Sequence, residues 1–191
     1  MTSAVHRPWP TVRRLFCGFL LPAACFLFSG CGYTTRPGLP AHLRTVYVKP
    51  FVNKIDLTQL TNDSRRFPIY RHGLETDLTK AVINRFQFTG LLRPASAERA
   101  DCRVEGELLE FRRDSLRFDA NKNVEEWRLS VVANVRLLDL HTNTVMWEET
   151  PLIGDTTFFE LGASAESEAT ALDRAIRDLA RRVVERTVEN W

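Results

Sequence analysis

The most regular pattern in the chain lies between Val124 and Leu140. Trp127, Leu129, Val131, Ala133, Val135 and Leu137 alternate there with Glu126, Arg128, Ser130, Asn134 and Arg136, broken only by Val132 and Leu138. Successive strand side chains point to opposite faces, so a period of two predicts a strand with one dry face and one wet face. Upstream, Asp101 to Phe111 predicts another strand, with Cys102, Val104 and Leu108 on one side. Downstream, His141-Thr142-Asn143-Thr144 is turn chemistry. Val145-Met146-Trp147 then opens a further strand, which continues past Pro151 and Gly154, with a bulge there, toward Phe159. Thr45 to Phe51 is β-branched and aromatic and predicts the first strand. Pro50 cannot donate to a ladder, so that end is an edge or a bulge.

Twice the period changes to that of a helix. Ile69, Leu74, Leu78, Ala81, Val82 and Phe86 recur at helical spacing between Pro68 and Gln87, with Pro68 suited to a first turn and Gly90 to a stop. From Ser164 to Thr187, Leu172, Ile176, Leu179, Ala180 and Val183 form a stripe. Asp173 with Arg177, and Asp178 with Arg182, stand at i,i+4 on the other side, each acid first. Asn53 to Arg66 is polar and predicts a mobile loop. The order strand, helix, three strands, helix predicts an α+β fold: a two-layer sandwich of about four mostly antiparallel strands with two helices on one face.

The N-terminus departs from all of this. Arg7, Arg13 and Arg14 precede the apolar run Leu15 to Phe28, and no acid appears before Asp56. A basic segment, an apolar stretch and then small residues is the layout of a secretory signal peptide, here residues 1–30. A membrane span is the rival reading, but it needs roughly 20 apolar residues, and this run is shorter and contains Pro22. Phe28-Ser29-Gly30-Cys31 resembles a lipobox, at which bacterial lipoproteins are lipidated and cut before the cysteine. Phe28 departs from the usual aliphatic residue, although Leu27 stands beside it. Plain cleavage after Gly30, leaving a free thiol, is the alternative. Residues 31–43 then form a lipidated N-terminus and a short stiff tether with Pro37, Gly38 and Pro40, ahead of a domain at 44–191. Cys17 and Cys25 leave with the signal, so acylation of Cys31 would leave Cys102 as the one free thiol, buried in a strand and inert. Several acyl chains at Cys31 would hold the protein durably. Gly32 is not the aspartate associated with inner-membrane retention, which directs the expectation to the outer membrane.

Charge narrows the function classes. Three arginines and no acids leave with the signal, taking the formal charge from +2 to −1. That balance argues against a nucleic-acid binder. About 160 residues remain, enough for one domain that needs no disulfides. A search for chemistry finds little. His6, His42, His72 and His141 lie in signal, tether, helix and turn, none with a second ligand at zinc spacing. Ser115 and Ser130 sit in no nucleophile elbow. Glu125-Glu126 and Glu148-Glu149 are adjacent strand residues, which face opposite ways and cannot act as a dyad. The expectation is a protein that is not an enzyme, with no metal and no cofactor other than covalent lipid.

Several segments together resemble the lipopolysaccharide-assembly lipoprotein family, LptE. They are Cys31-Gly32-Tyr33, Val46 to Lys54, Leu78-Thr79-Lys80-Ala81, Ala100 to Gly106, Glu125 to Leu129, Asp139 and Val145-Met146-Trp147. Their order and spacing carry the likeness over nearly all of the mature chain. Cys102 and Trp127 depart from it, conservatively. The resemblance implies an outer-membrane lipoprotein that plugs the lumen of a large β-barrel, called LptD, and helps deliver lipopolysaccharide to the cell surface. It implies that the polar face Glu126, Arg128, Ser130, Asn134 and Arg136 meets a water-filled lumen, whose interior is polar. The plainer reading is an ordinary solvated face.

Arg112, Arg113, Arg117 and Lys122, beside Phe111, Leu116 and Phe118, suit the phosphates and acyl chains of lipid A. The plainer reading is a hairpin whose charges are solvated and partly neutralised by Asp114 and Asp119. Phe158-Phe159 could touch a barrel wall or fill the core under the last helix, and Trp191 could anchor the C-terminus or fray. A periplasmic scaffold lipoprotein that binds another protein, and a hydrolase with an unrecognised site, are the competing functions.

Overall fold

Hydrogen bonding along the chain resolves the pattern into nine elements, in a computed structural model described over residues 39–56, 66–68 and 71–189. They are β1 (Thr45–Val48), β2 (Val52–Asn53), β3 (Arg66–Pro68), α1 (Leu74–Thr89), β4 (Arg93–Pro94), β5 (Cys102–Phe118), β6 (Val124–Asp139), β7 (Thr144–Phe159) and α2 (Glu168–Glu189). The fold is α+β with both helices packed into one core, as the periodicities predict. The sheet is larger than the four strands expected and is mixed, with order β4-β1-β5-β6-β7 and with β2 and β3 also paired to β5.

The three long strands form an antiparallel meander, whereas β1 and β2 run parallel to β5 and β4 runs parallel to β1. Pro50 breaks the first strand, as its missing N–H requires. The chain nonetheless stays beside β5, because the Lys49 and Lys54 N–H groups donate to the carbonyls of Val104 and Leu108. β1, β2 and β3 thus occupy one edge of β5 in succession, and β6 occupies the other.

Boundaries differ from expectation for local reasons. Pro68 ends β3, paired with Arg112, and does not open the helix. Ile69 lies outside the described residues. α1 starts only after Gly73, whose φ of 81° is a left-handed conformation that glycine adopts without strain. Ser167 caps α2, its hydroxyl accepting the Thr170 N–H at 3.2 Å, which sets the start at Glu168 and not at Ser164. β5 runs to Phe118, well past Phe111, since its second half stays paired with β6 through register shifts at Leu116 and Glu125. The expected bulge in β7 falls at Thr150–Pro151, where two residues face Asn134 alone and the peptide is cis.

The dry face carries Val104, Leu108, Phe111, Trp127, Leu129, Val131, Val135, Leu137, Trp147, Leu152 and Phe158, all buried. Leu74, Leu78, Val82 and Phe86 of α1 and Leu172, Ile176, Leu179 and Val183 of α2 join the same core. Phe158 is therefore core. α2 lies so close to β7 that a Cβ on Gly154 would come within 2.6 Å of the helix backbone. Gly106 is overlaid by the Phe51 ring in the same manner.

Candidate functional site

Because strand residues alternate, the other face of the long strands collects what the core rejects. Glu126, Arg128, Ser130, Asn134 and Arg136 all lie on it, in register with Arg103, Glu105, Glu107, Glu110, Arg112 and Asp114 of β5 and with Glu148 and Asp155 of β7 on the neighbouring positions. Glu105 is its electrostatic centre. Arg136 donates to Glu105 Oε2 through Nε at 2.9 Å and Nη2 at 2.6 Å. Arg103 Nε and Lys49 Nζ lie 2.8 and 3.6 Å from Oε1. Burial pushes the Glu105 carboxyl up, but these cations more than offset it and hold it below the usual range. Beside it lies a cavity of about 230 Å³ lined by Lys49, Pro50, Glu107, Asn134 and Glu148 among others.

The face is not uniformly wet. Ser130 is only 2 % exposed, and Val132 beside it is also buried. Ser130 stands between Arg112 and Asp155, and the Arg112 guanidinium is held by Glu110 at 2.6 Å and Asp114 at 3.2 Å. A short hydroxyl among long neighbours cannot reach solvent, so alternation in the sequence overstates its exposure.

The four expected lipid-binding cations do not form one cluster. Arg112 is on the polar face in the pairs just described. Arg113 is on the opposite face, its guanidinium 4.1 Å from the Trp127 ring centroid and 2.9 Å from Glu168 at the start of α2. Arg117 is 61 % exposed, 3.5 Å from Glu126 and stacked 5.7 Å over Phe159. Lys122 occupies the β5–β6 turn with a φ of 68° and is exposed. Arg117 and Lys122 are left at the hairpin tip, next to exposed Leu116 and Phe118, with exposed Leu161 in the β7–α2 turn at the same end. Asp119 forms no ion pair with either among the described residues. Its carboxylate is occupied by the N–H groups of Asn121 and Asn123 and by the Asn123 amide.

At the opposite end of the sheet the fold unites residues that the sequence leaves far apart. His42 Nε2 is 2.8 Å from Asp139 and His141 Nε2 is 3.0 Å from Asp101, with the two rings edge to face at 5.6 Å. Asp101 also accepts the Thr45 hydroxyl and the N–H groups of Arg44 and Thr45. The His141 contact and then the Thr45 hydroxyl hold its carboxyl far below the usual range. Nothing in the spacing of His42 and His141 points to this pairing; only the closure of β1 on β5 creates it. Next to it, burial first, and then the charges of Asp101 and Asp139, push the Cys102 thiol up to about 12. A thiol so protonated is a poor nucleophile. Among the described residues no group of three or more His, Cys, Asp or Glu side chains is arranged to hold a metal ion. Cys31 and Trp191 lie outside the described residues.

The family model for lipopolysaccharide-assembly, LptE, matches residues 43–187. The chain belongs to this family. No curated protein matches it significantly. Among solved structures, a hypothetical protein from Chlamydia trachomatis is similar at 16 % identity and a TM-score of 0.49, over 75 % of this LptE-family chain and 95 % of the other. A minor lipoprotein from Acinetobacter baumannii (13 % identity, TM-score 0.44) covers 75 % and 91 %, and an uncharacterized lipoprotein B from Nitrosomonas europaea (18 %, 0.43) covers 76 % and 84 %. These likenesses are too loose to add to what the LptE match establishes. Among the described residues, no helix is long and apolar enough to cross a membrane.

Proposed function

We propose that this LptE-family protein is an outer-membrane lipoprotein, acylated at Cys31, that assists lipopolysaccharide assembly as the plug and assembly partner of a large LptD-type β-barrel. The observation that carries the reading is the polar face of the three long strands. Sixteen residues of strand extend about 50 Å at roughly 3.3 Å each, well beyond the apolar band of about 25 Å that an outer-membrane barrel presents to lipid. A face so long, mixed in charge and centred on the Glu105 cluster, matches the hydrated lining of such a lumen, while the helices cover the apolar face of the same sheet. The hairpin tip adds cations and apolar side chains of the kind that lipid A phosphates and acyl chains would engage.

The test is a mild-detergent pull-down of tagged protein from its native membrane, with photocrosslinkers at Arg128 and Asn134 on the polar face and at Arg177 on α2. A stoichiometric β-barrel that crosslinks from Arg128 and Asn134 but not from Arg177 is the expected result. An intact domain that brings down no barrel would overturn the plug reading and leave an acylated scaffold for another protein.

A further inference from the structure

The end of the sheet where the N-terminal segment enters carries a second surface, which neither the polar face nor the hairpin tip accounts for. α1 ends there, and its last turn presents Phe88 with 82 % of its surface exposed; Leu91, just past the Gly90 cap, is 41 % exposed. Exposed apolar side chains grouped at one end and rimmed by polar residues are what an interface covers. Arg85, one turn back, lies 5.5 Å from the Phe88 ring.

Arg44, Arg93 and Arg99 surround the same end. The Arg93 N–H donates to the Arg44 carbonyl, and the Arg99 carbonyl lies 3.2 Å from the Thr45 hydroxyl oxygen, so the three are gathered at the start of β1. All three are exposed, and none has an ion pair among the described residues. The carboxylates of Asp101 and Asp139, though ionised, are turned to other partners. Asp101 and Asp139 are occupied by His141, Thr45 and His42, which leaves Glu98 as the exposed acid of this stretch.

We propose that this end is a docking surface for the headgroup layer of a bilayer bearing anionic phospholipids, with Phe88 and Leu91 entering the interface and Arg44, Arg93 and Arg99 meeting phosphates. Arginine flanking a partly inserted aromatic is the arrangement that interfacial binding favours. Chain length decides which end of the molecule meets the membrane. Cys31 precedes Leu39 by eight residues, and eight residues span at most about 29 Å. The hairpin tip stands about 50 Å away along the strands, beyond the reach of that tether. The orientation therefore rests on acylation of Cys31, while the surface itself does not.

The experiment places an environment-sensitive fluorophore at Gln87→Cys, next to Phe88, or at Ala163→Cys in the distal β7–α2 turn. The full mature chain is used both in its lipidated form and with Cys31→Ser. Vesicles of phosphatidylethanolamine and phosphatidylglycerol carry a nitroxide lipid as quencher, and phosphatidylcholine vesicles are the neutral control. The expected result is quenching at position 87 and not at 163, weakened by salt and by neutral lipid. In the Cys31→Ser chain, each of Arg44→Gln, Arg93→Gln and Arg99→Gln is expected to weaken vesicle binding about fivefold. Phe88→Ser should weaken it further while circular dichroism is unchanged. Equal quenching at the two positions, no quenching at 87, or indifference to the arginine changes would overturn the proposal. A mass spectrum of the N-terminal peptide reports acylation separately. An unacylated Cys31 would sink the anchoring reading while the Cys31→Ser chain still tests docking.

Discussion

Arg113 and Arg117 are four positions apart on one strand and do different things. Arg113 sits on the face that packs against α2, over Trp127 and paired with Glu168, while Arg117 and the turn residue Lys122 point to solvent. Arg113→Ala is expected to destabilise the domain by about 1–2 kcal/mol through loss of the ring contact and the ion pair, read as a lower urea midpoint. Arg117→Gln combined with Lys122→Gln should change stability by no more than about 1 kcal/mol, the Glu126 pair being exposed, and weaken lipopolysaccharide binding about tenfold or more, since a charge-assisted hydrogen bond contributes about 1.5–3 kcal/mol. Unchanged binding by the double variant would remove the hairpin tip from the proposed function. The sequence showed these cations as a run, because residue type is visible there but the extension of the strand past Phe111 is not. Once paired, neighbouring arginines go to opposite faces and acquire different partners.

Among the elements, the ones with a sustained period were legible and the ones made by pairing were not. β6 and α2 follow from alternation and from a stripe, and even the Asp178–Arg182 pair stands where i,i+4 spacing places it, at 2.8 Å. β2 and β4, two residues each, and β3, three, have no period to read and exist only because β5 or β1 offers an open edge. The exposed edge of the meander is handled by α2. Asp178 accepts the Asp155 N–H of β7 at 3.3 Å, and Arg174 donates to the Thr157 carbonyl at 2.8 Å. Side chains of a helix thus cover strand groups that would otherwise invite another strand. Arg174→Ala with Asp178→Ala is expected to leave the secondary structure intact and to produce concentration-dependent self-association in sedimentation velocity. A variant that stays monomeric at every concentration would show that the edge needs no cover.

At the scale of the whole molecule, stability is tied to carboxylates held in their charged form. Asp101, Glu105, Asp139 and Asp178 all have lowered pKa values. For Asp139 and Asp178 burial acts the other way. It is outweighed by contacts from His42 and the His141 and Thr142 N–H groups in the first case, and from Arg181 and Arg182 in the second. A depressed folded pKa stabilises above the unfolded value, about 3.9 for Asp and 4.3 for Glu, and that contribution fades as pH falls from there through the folded value. The urea midpoint should therefore be flat in this respect down to about pH 5 and drop steadily below about pH 4. Asp101→Asn should flatten the drop. An acid profile the same in that variant as in the parent would separate the His141–Asp101 contact from the stability of the fold.

For a chain exported as proposed, the arrangement around β5 has a temporal meaning. A chain secreted N-terminus first delivers residues 45–68 long before residues 102–118, yet β1, β2 and β3 all complete their hydrogen bonding on that later strand. The early segments have nowhere to settle while they wait, and Val46, Val48 and Phe51, all buried in the finished protein, stay uncovered in the meantime. On the proposed acylation at Cys31, a lipid attached before β5 arrives would tie the chain to a membrane while the domain assembles.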